Sequence, residues 1–500
     1  MSMPAERVNT PFSAVDASIE DILEAYRTGR LKVRQLVEIY LERIKAYDQS
    51  GPRLNAIISV NPHALAEADA LDARGMQNGF VGPLHGIPLI VKDQIDVKGM
   101  PTTLGSLLFK DFRPDRDGFV VRRLKDAGAI ILAKATLGEL GGGDTHGSLF
   151  GSTRNVYDPN RTAGGSSGGC GVAVSANFCA AAIGQEGFSS IRRPSIWNGI
   201  VGMRPSIGLV SRSGVFGGWP TLNGSLGPMA RSVADLARLM DVMVGFDGDD
   251  PSTAHGYGRR PESYHRGLDR KKLAGARLGI LREPMGYDTE PLSEDFKKVD
   301  SVFEKAVADL RAAGAVVIDP IVIPDLKALL AKRARSPEDD ESMYDLYTAG
   351  TSAPFKRRSD VSASPLFENV VPGSRKRWLD APSPERQLAD HRARSTLLTN
   401  MLKVMALHEL DAFVHKAVEH QPTLIKHGIE APFVDQKGAP HINTFLTSVP
   451  SIVVPAGFTS DDLPAGITFL GRPYSDHDMI QLAFSYEQAT GHRRPPALVP

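Results

Sequence analysis

The sequence predicts an α/β fold in which the interior strands of a sheet are covered by helices. Three observations lead there. Short runs such as Ile87–Val91 and Ala129–Ala133 are apolar on both faces and end at Gly, Pro or charge, as strands buried from both sides do. A helical stretch around Val120–Ala127 separates them, so strand and helix alternate. Hydrophobic residues make up 42% of the 500 positions, ample for a large core.

Taken in order, residues 17–47 are helical in pattern. Ile19, Ile22, Leu23 and Tyr26 form one apolar stripe, and Leu36, Val37, Tyr40, Leu41 and Ile44 a second. Ser18 or Asp16 stands where the first helix needs a cap. Residues 54–60 read as a short strand and the Ala-rich 63–75 as a helix. Gly169–Gly184 is mostly small and apolar but holds Ser175 and Asn177; too short to span a bilayer, it predicts a buried helix. Ala230–Val244 is an amphipathic helix. Leu278–Leu281, Glu294–Ala313 and Ala315–Ile318 repeat the strand–helix–strand theme. Residues 335–440 are charged, Pro-containing and irregular. Their basic clusters, Lys356-Arg357-Arg358 and Arg375-Lys376-Arg377, read as solvated faces because acidic residues are interleaved. The chain closes with strands at Ser451–Ala456 and Gly466–Leu470 and a helix over 477–490. There is no internal repeat.

Charge and composition narrow the function. With 58 basic and 58 acidic residues the formal net charge is zero, against the basic excess expected of a binder of nucleic acid or anionic membrane. Cys170 and Cys179 are too few for a disulfide framework or a Cys-based zinc site, and read as buried thiols in a reducing compartment. The N-terminus lacks the apolar region of a signal peptide, so a cytoplasmic location is expected. The 13 histidines show no His-x-x-x-His spacing, and no metal or cofactor is expected.

Two serine-bearing stretches and one lysine carry the chemistry. They are Gly164-Gly165-Ser166-Ser167-Gly168-Gly169, Gly187-Phe188-Ser189-Ser190-Ile191-Arg192-Arg193-Pro194 and Gly86-Ile87-Pro88-Leu89-Ile90-Val91-Lys92-Asp93. Attack on an acyl carbon needs a nucleophile, a base and donors for the oxyanion. A lysine serves as base only when neutral, which burial can achieve. Lys92 ends an apolar run, so it is such a base, a surface lysine at a strand end, or a lysine paired with Asp93 or Asp96. The glycine-rich stretch fits a nucleophile elbow or an anion-cradling loop at a helix start. A Walker loop is excluded, because no Gly-Lys-Ser or Gly-Lys-Thr follows. The later turn offers the backbone N–H groups of Gly187, Phe188, Ser189 and Ser190 as oxyanion donors, or is an ordinary polar turn.

Together these stretches resemble the amidase signature family of serine amidohydrolases. Residues 164–169 match its Gly-Gly-Ser-Ser-Gly-Gly signature, and residues 189–194 its Gly-Ser-Ile-Arg-x-Pro element with Ser189 in place of Gly. The 24-residue interval from Ser166 to Ser190 matches as well. So do the segment ending in Lys92, Gly202-Met203-Arg204-Pro205-Ser206, Gly227-Pro228-Met229-Ala230-Arg231-Ser232 and Val453-Val454-Pro455-Ala456-Gly457-Phe458. The resemblance implies one domain over 1–500, with a large twisted mixed β-sheet core flanked by helices. The catalytic core would come from 15–260 and 440–495, with 335–440 covering the substrate cleft.

It further implies a Ser–cis-Ser–Lys triad: Ser190 as nucleophile, Ser166 as bridging serine after a cis Gly165–Ser166 bond, and neutral Lys92 as base. Gly165, Ser167 and Arg192 would support the site. Two departures stand out: Glu186 replaces the family's usual Asp, and Phe188 stands where glycine is usual. The implied activity is cleavage of the C–N bond of a linear amide, such as an anilide, a short amide or a carbamate (urethane), by a monomer or homodimer without nucleic-acid or membrane partners. The alternatives are the glutaminase subunit of a tRNA-dependent amidotransferase, or a silent family member used for binding.

Overall fold

In the computed structural model, residues 12–216, 224–334, 344, 347–348, 352–429, 434–440, 442, 446 and 448–500 are described; the N-terminus read above for a signal peptide lies outside them. Among the described residues thirteen strands follow in chain order: β1 (Ile57–Val60), β2 (Pro88–Lys92), β3 (Ile130–Ala135), β4 (His146–Gly147), β5 (Gly151–Ser152), β6 (Ala181–Glu186), β7 (Val201–Arg204), β8 (Ser225–Ala230), β9 (Arg277–Leu281), β10 (Val316–Ile321), β11 (Ala412–Lys416), β12 (Ser451–Phe458) and β13 (Pro464–Leu470). Eleven of them build one sheet in the order β1-β3-β2-β6-β8-β7-β12-β13-β11-β9-β10, while β4 and β5 pair separately. The sheet is mixed. β3, β2 and β6 run parallel, as do β11, β9 and β10, and the strands between them are antiparallel.

Every residue of β2, β3 and β6 is buried, because helices cover both faces. The expected helices over 17–47 are Ile19–Arg27 and Val33–Arg43, followed by a π-helical turn at Ile44–Gln49. Ser18 is the cap of the first, in a reciprocal capping box with Asp21. Asp16 instead pairs with Arg493. The helices Ala64–Asn78, Phe119–Asp126, Val233–Met243, Glu294–Ala312 and Asp476–Thr490 fall where the sequence pattern put them.

Three expectations need correction. Gly169–Gly184 is not one helix: the helix spans only Gly168–Ser175, the chain reverses through Asn177 at φ 56°, and β6 begins at Ala181. A stretch buried on all sides has no periodicity to separate helix from strand, and Asn tolerates the left-handed turn. Residues 335–440 are less irregular than expected. They hold the helices Arg358–Ala363, Pro372–Leu379 and Pro384–Leu407 and contribute β11 to the main sheet, which also takes β9 and β10 from 277–321. Their basic clusters are not simply solvated. Arg358 stacks on Trp378 at 4.3 Å and donates to its carbonyl, and Arg377 pairs with Asp435 at 2.6 Å.

Candidate active site

The site lies at the carboxyl ends of the parallel neighbours β2 and β6, where open α/β sheets place their ligands. β2 ends on Lys92, which is fully buried. Its Nζ donates to Ser166 Oγ at 2.6 Å and to the Gln185 carbonyl of β6 at 3.3 Å. The acids considered as its partners are engaged elsewhere. Asp93 pairs with Lys134 of β3 at 3.3 Å and accepts from Thr103. Asp96 accepts from Thr102 and from the Tyr347 hydroxyl at 2.9 Å. Lys92 is therefore desolvated with only neutral oxygens in hydrogen-bond range among the described residues. Burial pushes its pKa down from 10.5 to about 7, against smaller opposing effects of Cys170 and Glu186. Burial also pushes the Cys170 thiol up to about 12, so it offers no thiolate to hold the ammonium.

Ser166 follows a cis Gly165–Ser166 peptide bond. Its hydroxyl receives the Lys92 N–H and donates to the Gly141 carbonyl at 2.8 Å. The glycines around it are required by close backbone approach. A Cβ on Gly165 would stand 2.3 Å from the Gly143 carbonyl oxygen, and one on Gly169 2.4 Å from Thr136 Oγ1. Ser167 ties the two serine stretches together. Its N–H donates to the Ser190 carbonyl at 3.1 Å, and its hydroxyl donates to the Gln185 carbonyl at 3.2 Å.

β6 leads through Gly187–Ser190 into the helix Arg192–Trp197. Glu186 fastens this turn by accepting from the N–H groups of Ile191 (2.8 Å) and Arg192 (3.0 Å) and from Arg192 Nε (2.7 Å). Arg192 Nη2 then holds the Phe188 carbonyl at 2.9 Å. Glu186 thus takes up the acceptor work expected of the family's Asp. With the turn pinned by its carbonyls, the N–H groups of Gly187, Ser189 and Ser190 donate to no acceptor among the described residues. Ser190 is 9% exposed, whereas Lys92 and Ser166 are sealed at 0%. Among the described residues no hydrogen bond joins the Ser166 and Ser190 hydroxyls. The Phe188 ring is buried beneath the guanidinium of Arg333, 4.3 Å from its centroid.

Several residues in this framework carried no readable signal. Arg193 occupies the variable position of the second motif, yet it holds the Gly165 carbonyl at 2.9 Å and pairs with Asp144. Asp144 donates its N–H to Asp435 at 2.7 Å, and Asp435 pairs with Arg377. This chain of charges joins the Gly165 carbonyl to the 335–440 segment. Among the described residues no cluster of three or more His, Cys, Asp or Glu is placed to hold a metal ion. None of their helices is long and apolar enough to cross a membrane.

Comparison with known proteins shows the family. The family model described as Amidase matches residues 35–480. A probable amidase of Arabidopsis thaliana is 32% identical, the alignment covering 99% of this chain and 94% of the relative. A glutamyl-tRNA(Gln) amidotransferase component from Symbiobacterium thermophilum is also 32% identical, over 93% of this chain and 95% of that one. Among solved structures, the native peptide amidase of Stenotrophomonas maltophilia superposes with a TM-score of 0.85 at 34% identity, covering 98% of this chain and 100% of that one. A bacterial aryl acylamidase gives 0.77 at 26% identity, over 95% and 96%. The chain belongs to the amidase signature family of serine amidohydrolases, hydrolases that act on C–N bonds.

Proposed function

We propose that this chain hydrolyses linear amides, with aryl carbamates (urethanes) in its range, through an acyl-enzyme on Ser190. The observation that carries the reading is the sealed contact between Lys92 Nζ and Ser166 Oγ at 2.6 Å, with the amine depressed to about 7. Near neutral pH much of Lys92 is the free amine. On substrate binding the Ser166 hydroxyl turns from the Gly141 carbonyl, gives its proton to the Lys92 lone pair and accepts the Ser190 proton. Ser190 Oγ forms a bond to the carbonyl carbon, and the carbonyl oxygen takes the negative charge. The N–H groups of the Gly187–Ser190 turn stabilise that charge. The tetrahedral adduct collapses as the C–N bond breaks, and the relay returns the proton to the leaving nitrogen. Water then attacks the acyl-enzyme by the same route. For a carbamate the acyl group is an alkoxycarbonyl, and the products are amine, alcohol and carbon dioxide.

Gly165, Ser167 and Arg192 act as positioning residues: the first permits close approach, and the others hold the two serine stretches in register. The 335–440 segment serves as the wall over the cleft within a single domain. This reading is supported by Val371 N–H on Glu139 at 2.7 Å, Tyr347 on Asp96 and Asp435 on Asp144. The test is a substrate panel of anilides, short aliphatic amides, glutamine and aryl carbamates, each assayed with wild type and Ser190→Ala. Ser190-dependent release of amine from anilides or carbamates is the expected result. Turnover of glutamine alone would favour the amidotransferase-type glutaminase, and turnover that survives Ser190→Ala would overturn the assignment.

A further inference from the structure

Arg333 differs from the arginines around it. Arg192 is matched by Glu186, Arg193 by Asp144, Arg377 by Asp435 and Arg394 by Asp390. Among the described residues the Arg333 guanidinium makes no hydrogen bond and no ion pair; the contact it does make is the stack on Phe188 at 4.3 Å. Asp390, the carboxylate whose charge it feels, is already taken by Arg394 Nε at 2.6 Å and by the Ala334 N–H at 3.1 Å. Burial, reinforced by Arg394, lowers its pKa to about 10, so it remains a cation at neutral pH. The guanidinium is half-buried; an aromatic face offers such a cation about 1 kcal/mol and leaves the five N–H donors of the planar fork without a protein acceptor among the described residues.

The position gives this unused fork a use. Phe188 lies inside the turn whose N–H groups face the reacting carbonyl, two residues before Ser190. The ring and the cation stacked on it thus form one feature beside that turn. A planar oxyanion is the ligand that a guanidinium fork recognises in bidentate geometry.

We propose that Arg333, held in place by the Phe188 ring, is a specificity determinant that binds a carboxylate carried by the substrate. The inference rests on the hydrolase reading above and specifies its substrate class: amides with an anionic group beside the scissile bond. A neutral substrate leaves the cation unpaired, and a carboxylate completes it.

The test compares matched substrates that differ only in the anion. Succinyl-p-nitroanilide is set against butyryl-p-nitroanilide for an anion on the acyl side. The butyryl amide of 4-aminobenzoate is set against butyryl-4-toluidide for one on the leaving side. In one of the pairs wild type should favour the anionic member at least tenfold in kcat/KM, and Arg333→Gln should abolish that preference through KM. Hydrolysis of the neutral member should stay within threefold, and Arg333→Lys should recover part of the preference. Thermal shift with succinate and with butyrate supplies a readout independent of turnover: succinate should stabilise wild type and not Arg333→Gln. Ser190-dependent hydrolysis with no preference in either pair overturns the inference alone, as does an equal loss on both members in Arg333→Gln. Arg333-dependent succinate binding without hydrolysis of any of the four substrates supports the subsite and counts against the hydrolase reading. Succinate that neither binds nor depends on Arg333 overturns the subsite.

Discussion

Replacing Lys92 with methionine removes the amine while keeping an unbranched stem of similar length. The depression of the lysine from 10.5 to about 7 corresponds to roughly 5 kcal/mol at ~1.4 kcal/mol per pH unit. That figure fixes two pH profiles. In the proposed mechanism the active form is the free amine, about a tenth of the enzyme at pH 6 and about nine-tenths at pH 8. Wild-type kcat/KM should therefore rise about tenfold per pH unit below 7 and level off above about 8, whereas Lys92→Met should show only a small, pH-flat residue of activity. Stability follows from the same shift. The folded pKa lies below the unfolded one, so the unfolded chain binds the extra proton between about 7 and 10.5. Wild type should gain stability as pH rises through that window, and the cost of the buried amine is fully present below it. The stability of Lys92→Met relative to wild type should thus be greatest at pH 6 to 7 and fall by up to about 5 kcal/mol on approaching pH 10.5. Urea unfolding of both proteins from pH 6 to 10 measures the difference. A kcat/KM limb centred near 10, or a stability difference independent of pH, would refute the buried, neutral lysine.

Other perturbations probe the surrounding framework. Ser190→Ala should lower kcat/KM by about 10^4 or more while Tm moves little, since Ser190 is more exposed than Lys92 or Ser166. Truncating Arg192 to alanine leaves the buried Glu186 carboxylate without its partner, and should cost about 3–5 kcal/mol in chemical unfolding; a loss below about 1 kcal/mol would show that the pair does not hold the turn. Gly165→Ala forces a methyl to within 2.3 Å of the Gly143 carbonyl. It should destabilise by about 1–3 kcal/mol and depress kcat more than KM, as steady-state kinetics beside a melting curve would show.

Much of the site was legible because its chemistry is local in sequence. Glycines that must admit a neighbouring backbone, a lysine closing an apolar strand and a Glu three residues before the second serine motif are readable one segment at a time. Residues that act across the fold were not. Asp144 and Asp435 are 291 positions apart, and nothing in either neighbourhood announces the other. The Phe188 ring meets Arg333, a residue in a segment without a motif. The same limit applied to the fold. Strands bounded by Gly and charge were identified, but the division of 169–184 into helix, turn and strand depends on packing. Half-buried charge in 335–440 hid the long helix Pro384–Leu407 and the interior strand β11.

The most direct test of the covalent step is mass spectrometry of enzyme quenched during turnover of a slowly deacylating O-alkyl N-aryl carbamate, cleaved at its C–N bond. The account predicts one alkoxycarbonyl group on the peptide carrying Ser190, absent from Ser190→Ala. An adduct on Ser166 or on any other side chain, with Ser190 unmodified, would contradict it.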